Sequence, residues 1–240
     1  MKKVFILLVI AAMAFSFGNV YAQKVKLNVI GGYSMPMGEL KGEYPTDIGT
    51  NPAKYYTKAG FNVGGIGKFY FDKKNSVGVT LSVLYNNFSN SVDNAFLTEK
   101  NAKFKVSAVE TGLGLEYRVP LKGWIVPFVG AEFTANFITG SYSTTNIYDA
   151  VDEYSMKTAT RFGMNAGLGF EFLAMPNVTF VVGAKYQMFN MLGKDTTFSN
   201  LGQKEYGLND KEYGLNNARN LGAIQIYGGF SYNIDNLFKP

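Results

Sequence analysis

The clearest regularity in the chain is a two-residue alternation of apolar and polar positions. Between residues 109 and 119, Val109, Thr111, Leu113, Leu115, Tyr117 and Val119 share one face, and Glu110, Gly112, Gly114, Glu116 and Arg118 share the other. Val129, Ala131, Phe133, Ala135 and Phe137 alternate in the same way with Phe128, Gly130, Glu132, Thr134 and Asn136. So do Phe162, Met164, Ala166, Leu168, Phe170 and Phe172 with Arg161, Gly163, Asn165, Gly167, Gly169 and Glu171. A helical period of 3.6 cannot generate these sets, so they predict β-strands. Eight segments qualify: 24–34, 59–71, 76–89, 104–119, 124–138, 158–173, 178–190 and 221–234.

The composition of the two faces sets the class. The apolar face carries bulky side chains and no charge in the central strands, as lipid contact demands. The other face is Gly, Asn, Gln, Thr and balanced charges, which suits a narrow hydrated lumen. A soluble ligand-binding barrel would put its large apolar residues inside, and it would fractionate with the periplasm. Tyr (16), Phe (20) and Gly (27) are abundant, as β-structure in lipid favours.

The connections supply an independent test. The stretches 35–58, 90–103, 139–157 and 191–220 are long, whereas 72–75, 120–123 and 174–177 hold four residues each, and the two kinds alternate throughout. Asp72-Lys73-Lys74-Asn75, Pro120-Leu121-Lys122-Gly123 and Ala174-Met175-Pro176-Asn177 have tight-turn compositions. Outer-membrane barrels have short periplasmic turns and long external loops. The rhythm therefore predicts an all-β fold, an eight-stranded antiparallel up-and-down transmembrane β-barrel with both termini in the periplasm. Aromatics gather at strand ends: Phe69, Phe71, Tyr117, Phe170, Phe172 and Tyr232 near the short turns, Tyr33, Tyr85, Phe137 and Phe162 toward the long loops. Interfacial girdles place rings there. The alternation slips at Ala108, where Phe104 and Val106 share parity with Glu110. A bulge, or a segment already outside the bilayer, accounts for that.

Ahead of the strands, Lys2 and Lys3 precede an unbroken apolar run from Val4 to Phe15, then a polar break and Val20-Tyr21-Ala22. Residues 1–22 thus read as a cleavable signal peptide, with the barrel domain at 23–240. The run is too short for a membrane-spanning helix, and no later run reaches about 18 apolar residues.

Cysteine and histidine are both absent. The first removes disulfides and thiolate metal sites. The second excludes the histidine-based lipase, deacylase and protease mechanisms open to a membrane barrel, and no Ser–Lys pair stands out in its place. No enzyme activity and no cofactor are expected. The net charge of +5, reduced by two with the signal, is scattered, so no nucleic-acid footprint exists. Asp149, Asp152 and Glu153 are three acids in one loop, read as a solvated stretch in preference to a Ca²⁺ site.

With the strands placed, the chain resembles the small outer-membrane β-barrels of OmpA and OmpX type, in the version without a periplasmic domain. The resemblance rests on Gly112-Leu-Gly-Leu-Glu-Tyr-Arg118, Pro127-Phe-Val-Gly-Ala131, Gly163-Met-Asn-Ala-Gly-Leu-Gly-Phe-Glu-Phe172, Gly183-Ala-Lys-Tyr186 and Gly228-Gly-Phe-Ser-Tyr232. It is a style of strand covering roughly 23–240. The chain departs from the family by ending Phe238-Lys239-Pro240 and not on an aromatic residue.

The inward face holds the candidate chemistry. Four acids (Glu110, Glu116, Glu132, Glu171) and four bases (Lys68, Arg118, Arg161, Lys185) fall in two tiers. Lys68, Glu116, Arg118 and Glu171 lie near the short turns; Glu110, Glu132 and Lys185 lie higher, with Arg161 higher still. Equal numbers predict mutual neutralisation, since an unpaired charge in a narrow lumen is costly. Glu110 and Glu132 are expected to share Arg161 or Lys185. The reading that follows is a barrel closed by salt bridges with a structural or surface-interaction role. Its partners are outer-membrane lipids and an external or envelope partner at loops 35–58, 90–103, 139–157 and 191–220. The alternative is a narrow channel or transport component. The last loop also carries a tandem repeat, Lys204-Glu-Tyr-Gly-Leu-Asn-Asp210 and Lys211-Glu-Tyr-Gly-Leu-Asn-Asn217, read as a local duplication in a tolerant loop.

Overall fold

The computed structural model describes residues 24–43, 54–72, 74–96, 99–121, 123–175, 177–196, 204–211 and 218–234. Residues 1–22, where a signal peptide is expected, and the carboxyl-terminal Phe238-Lys239-Pro240 lie outside these. The strands are β1 (Lys24–Gly38), β2 (Gly60–Tyr70), β3 (Val77–Phe96), β4 (Glu99–Arg118), β5 (Ile125–Asn146), β6 (Val151–Leu173), β7 (Val178–Leu192), β8 (Glu205–Tyr206) and β9 (Leu221–Asn233). Each long strand pairs antiparallel with its neighbour in sequence. β1 then pairs with β9, from Lys26↔Asn233 to Gly38↔Leu221, which closes an eight-stranded ring. Within the ring closure leaves no sheet edge, and backbone polar groups within lipid must pair internally. The two-residue β8 adds to β6 in parallel, outside the ring.

At the short-turn end the sequence reading and the structure agree to within a residue. Asp72 shapes the first turn: its carboxylate accepts backbone N–H bonds from Lys74 (3.1 Å), Ser76 (2.5 Å) and Val77 (2.8 Å). Asn75 takes the left-handed backbone (φ 52°) that asparagine tolerates. At the opposite end the strands run further than the alternation implied. β3 and β4 continue through most of 90–103, and β5 and β6 through most of 139–157. These stretches are long hairpins. Their outward positions include Lys103, Lys105, Ser141 and Ser143, so pairing continues where the apolar outer face has ended.

The slip at Ala108 is not a bulge. The β3–β4 register runs unshifted from Val77↔Tyr117 to Asp93↔Asn101, and Phe104, Val106 and Ala108 keep the inward parity of Glu110. What changes is the filling of the ring. At this level Leu40, Tyr55, Phe88, Val106, Ala108, Ile138, Met156, Phe189, Leu208, Leu221 and Ala223 form one buried apolar cluster. Leu40, Tyr55 and Leu208 come from the connections, so chain from the first and last long loops folds back over the ring.

The outer surface is the reverse of a soluble protein's. Leu113 is 53 % exposed, Val83 54 % and Leu168 59 %, within a belt of Leu, Val, Phe and Tyr. Lys26, Lys68, Glu110 and Glu171 are meanwhile buried.

Candidate functional site

The lumen is filled in layers. Nearest the short turns, Glu171 of β6 reaches across and accepts from three cations: Lys26 of β1 (2.5 Å), Arg118 of β4 (2.8 Å) and Lys68 of β2 (3.4 Å). Lys68 also pairs with Glu116 at 2.7 Å, and Tyr70 donates its hydroxyl to Glu116 at 2.5 Å. The Lys68 ammonium sits 4.3 Å from the centre of the Phe128 ring, and the Arg118 guanidinium 5.0 Å from that of Tyr70. Both contacts are cation–π arrangements that need little solvent. Arg118 further donates to the Asn75 carbonyl (3.2 Å), which ties this layer to the first turn.

One layer up, Glu132 accepts from Lys185 (2.8 Å), Thr80 (3.0 Å) and Ser82 (3.3 Å). Glu110 is held by two amides, Asn165 at 2.7 Å and Gln187 at 2.8 Å. The expected sharing of a cation between Glu110 and Glu132 is therefore corrected: Glu132 takes Lys185, Glu110 takes the amides, and Arg161 goes elsewhere. Arg161 lies one level too high and meets the last long loop. There its Nε lies 3.1 and 2.9 Å from the two carboxylate oxygens of Asp210, and Nη2 2.7 Å from Oδ1. A fork against a carboxylate is the strongest geometry available to such a pair. Asn190 (2.8 Å) and the Asp195 backbone N–H (3.0 Å) complete the shell around Asp210.

Two members of the network escaped the sequence reading. Lys26 has a signal, because it shares inward parity with Asn28 and Ile30, but it sits at the start of its strand, where a lysine reads as a solvated end. Asp210 has none, because a loop carries no periodicity. With them the layers become intelligible. The lowest has three cations and two acids, the next two acids and one cation, and their excesses oppose.

A cavity of about 30 Å³ lies between these layers, lined by Asn28, Ile66, Thr80, Phe128, Glu132 and Tyr227 among others. It has room for about two water molecules. Beyond the apolar cluster, at the external end, a much larger cleft of about 560 Å³ opens among Tyr55, Tyr56, Phe104, Tyr142, Tyr154 and Tyr206. Tyr55 donates its hydroxyl to the Leu208 carbonyl. Burial pushes its phenol up to about 12 against the pull of Arg219, whose guanidinium lies 4.6 Å from its ring centre. Tyr55 is therefore a protonated donor at neutral pH. The acids of the third loop are engaged singly, Asp149 with Lys100 (2.7 Å) and Asp152 with Lys204 (2.8 Å). The first copy of the tandem repeat is structural: Tyr206 and Leu208 pack into the apolar cluster, and Asp210 holds Arg161. Most of the second copy, 212–217, lies outside the described residues.

A closed ring with an apolar outer belt and its charges turned inward defines an integral outer-membrane β-barrel protein. The chain belongs to the family described as outer membrane protein beta-barrel domain, whose model matches residues 21–193, and it resides in the bacterial outer membrane. No curated protein matches the sequence. Among solved structures it is similar to Neisserial surface protein A (12 % identity, 87 % of this chain and 96 % of that one, TM-score 0.47). It is also similar to OprG from Pseudomonas aeruginosa (14 %, 87 % and 95 %, 0.46). A third is Ail, the attachment invasion locus protein of Yersinia pestis, in complex with the heparin analogue sucrose octasulfate (13 %, 87 % and 99 %, 0.42).

Proposed function

We propose that this protein is a closed barrel whose work is done outside the membrane, by the surface its loops and long hairpins build. The observation that carries the reading is the filling of the lumen. Two layers of buried ion pairs and amides lie below an apolar cluster of eleven side chains, and an eight-stranded ring is only wide enough for such side chains. Each layer supports the next, since Asp210 joins the last loop to the barrel wall through Arg161. No catalytic role is assigned to these carboxylates, which face a filled interior and not a cleft.

The narrow-pathway alternative draws its support from the amide layer. Asn28 Oδ1, Gln187 Oε1 and Gln225 Oε1 are buried without a protein partner, as in a lumen where water completes the bonding. Planar-bilayer recordings on the purified protein separate the two. Silent membranes are expected from the closed barrel. Steady openings whose size changes in Glu132→Ala or Arg161→Ala would establish the pathway and sink the closed reading.

A further inference from the structure

The last long loop is held along β6 by one heptad, and the chain carries that heptad twice. Glu205 and Tyr206 are the parallel register partners of Ser155 and Met156 in the external part of β6. The contacts on either side are those of a docked peptide. The Lys204 carbonyl accepts the Ser155 N–H (2.9 Å), and its ammonium pairs with Asp152 (2.8 Å). Glu205 pairs with Lys157 at 3.1 Å. Tyr206 and Leu208 enter the apolar cluster, and the Leu208 carbonyl accepts the Tyr55 hydroxyl. Asn209 takes a left-handed backbone (φ 44°), which asparagine tolerates. Asp210 ends the run on Arg161.

The second copy repeats the first six of these residues in order, as Lys211, Glu212, Tyr213, Gly214, Leu215 and Asn216. It has the side chains for every contact but the last, where Asn217 offers an amide oxygen and no charge to the Arg161 guanidinium. The path of the chain also permits an exchange. The Asp210 carbonyl accepts the Arg219 N–H at 3.0 Å, and the Asp195 carbonyl accepts from both Asp210 (3.0 Å) and Lys211 (3.2 Å). The chain thus leaves the dock at Asp210 and is back beside it at Arg219. With Asn217 in the place of Asp210, only Ala218 has to span to Arg219, and a γ-turn makes such a bond over three residues. On the other side, the stretch between Thr196 and the heptad grows from seven residues (197–203) to fourteen (197–210). A doubling of loop length costs only about threefold in population.

We infer that the external part of β6 is a peptide-binding site that accepts either copy of the heptad, with Asp210 as the residue that selects the first. The last loop therefore has two docking registers, seven residues apart. With the first copy docked, residues 211–218 stand outside the site; with the second docked, residues 197–210 do. One barrel thus has two external faces to offer a partner. The inference goes beyond the closed-barrel reading and is independent of whether the lumen conducts.

The chain has no cysteine, so a disulfide between two introduced ones reads the register. Partners on adjacent strands lie about 4.8 Å apart, within the Cα range of a disulfide. Ser155→Cys is combined with Glu205→Cys or with Glu212→Cys in the full protein in detergent micelles, and the bridged fraction is measured by mass after mild oxidation. Against the native seventh residues, Glu205→Cys should bridge more than about tenfold better than Glu212→Cys, the worth of a hydrogen bond to a charged group. Asp210→Asn should bring the two within about threefold, the loop-length effect alone. Asp210→Asn together with Asn217→Asp should reverse the order, and hydrogen-exchange protection should move from 204–210 to 211–217. Heat-modifiable gel mobility establishes that each variant is folded. Absence of the Glu212→Cys bridge in the folded, exchanged chain would overturn the second register. Equal bridging by both copies in every chain would overturn the selection by Asp210.

Discussion

Lys26 and Lys68 stand directly opposite each other across the β1–β2 pair, both pointing into the lumen, and both reach the single carboxylate of Glu171 from the far wall. Like charges at facing positions repel, so this pair exists because Glu171 bridges it, with Arg118 as its third cation. The layer carries one cation more than it has acids. Glu171→Gln should therefore cost about 3–5 kcal/mol, as expected when buried charges lose their partner. Lys26→Met should cost far less, because it leaves two cations with two acids. Urea unfolding in micelles, followed by heat-modifiable mobility, measures both. Equal losses for the two variants would refute the bridge.

Most of the barrel was legible in the sequence, and the reason is physical. Lipid outside and a narrow polar lumen inside force opposite chemistries on alternate residues, so Leu113, Leu115 and Tyr117 against Gly112, Gly114 and Glu116 could be read without coordinates. The tight turns were legible because Asp72 and Asn75 advertise backbone geometries few other residues favour. What stayed hidden lies where those constraints stop. Outside the bilayer Ser141 and Lys103 can sit on an outward strand face at no cost, so the hairpins left no alternation. Leu40, Tyr55 and Leu208 reach the cap from connections without period. The partners of Glu110 stayed hidden too, because parity says which residues face inward but not which meet across the ring.

The boundary of the bilayer on the outer face follows from the same contrast. Leu113 lies mid-strand in the apolar belt, whereas Ser143 lies on the continuing hairpin. Leu113→Arg should destabilise the barrel by about 2–4 kcal/mol, the range for a cation at the membrane midplane. Ser143→Arg should stay within about 0.5 kcal/mol of wild type, as for an ordinary surface change. Unfolding in lipid vesicles provides the comparison. A matching penalty at both positions would mean that the hydrocarbon extends along the hairpins.

Gly183 makes room for Tyr227. A Cβ at this inward position would stand 2.5 Å from the Tyr227 hydroxyl, 2.6 Å from its Cζ and 2.9 Å from the Leu168 carbonyl. Tyr227 belongs to the buried cluster with Ile30, Ile66, Leu84, Phe128 and Val181, so any retreat from the new side chain disturbs that packing. Gly183→Val should lower stability by about 1–3 kcal/mol through overpacking. Tyr227→Val in the same chain should recover part of that loss, leaving the share due to the backbone contact. Should the single variant unfold at the wild-type urea concentration, crowding by Tyr227 is not why glycine stands there.

Asp210 makes the cap sensitive to acid. Desolvation works against its charge, but the bonds from Arg161, Asn190 and the Asp195 backbone prevail and hold its carboxyl below the ordinary aspartate value of 3.8. A carboxyl whose folded value is depressed contributes stability that is fully present above its unfolded value and is lost as pH falls through the folded one. The last loop should therefore stay docked at pH 7 and 5 and loosen only below about pH 4. Asp210→Asn should loosen it at every pH, because a neutral amide cannot answer the Arg161 guanidinium. The second repeat copy offers no replacement, since Asn217 occupies the equivalent position. Hydrogen-exchange protection of residues 204–211, corrected for the intrinsic rate at each pH, reads the docking. Protection that is as high in Asp210→Asn as in the wild type at pH 6 would show that the apolar contacts of Leu208 and Tyr206 hold the loop unaided.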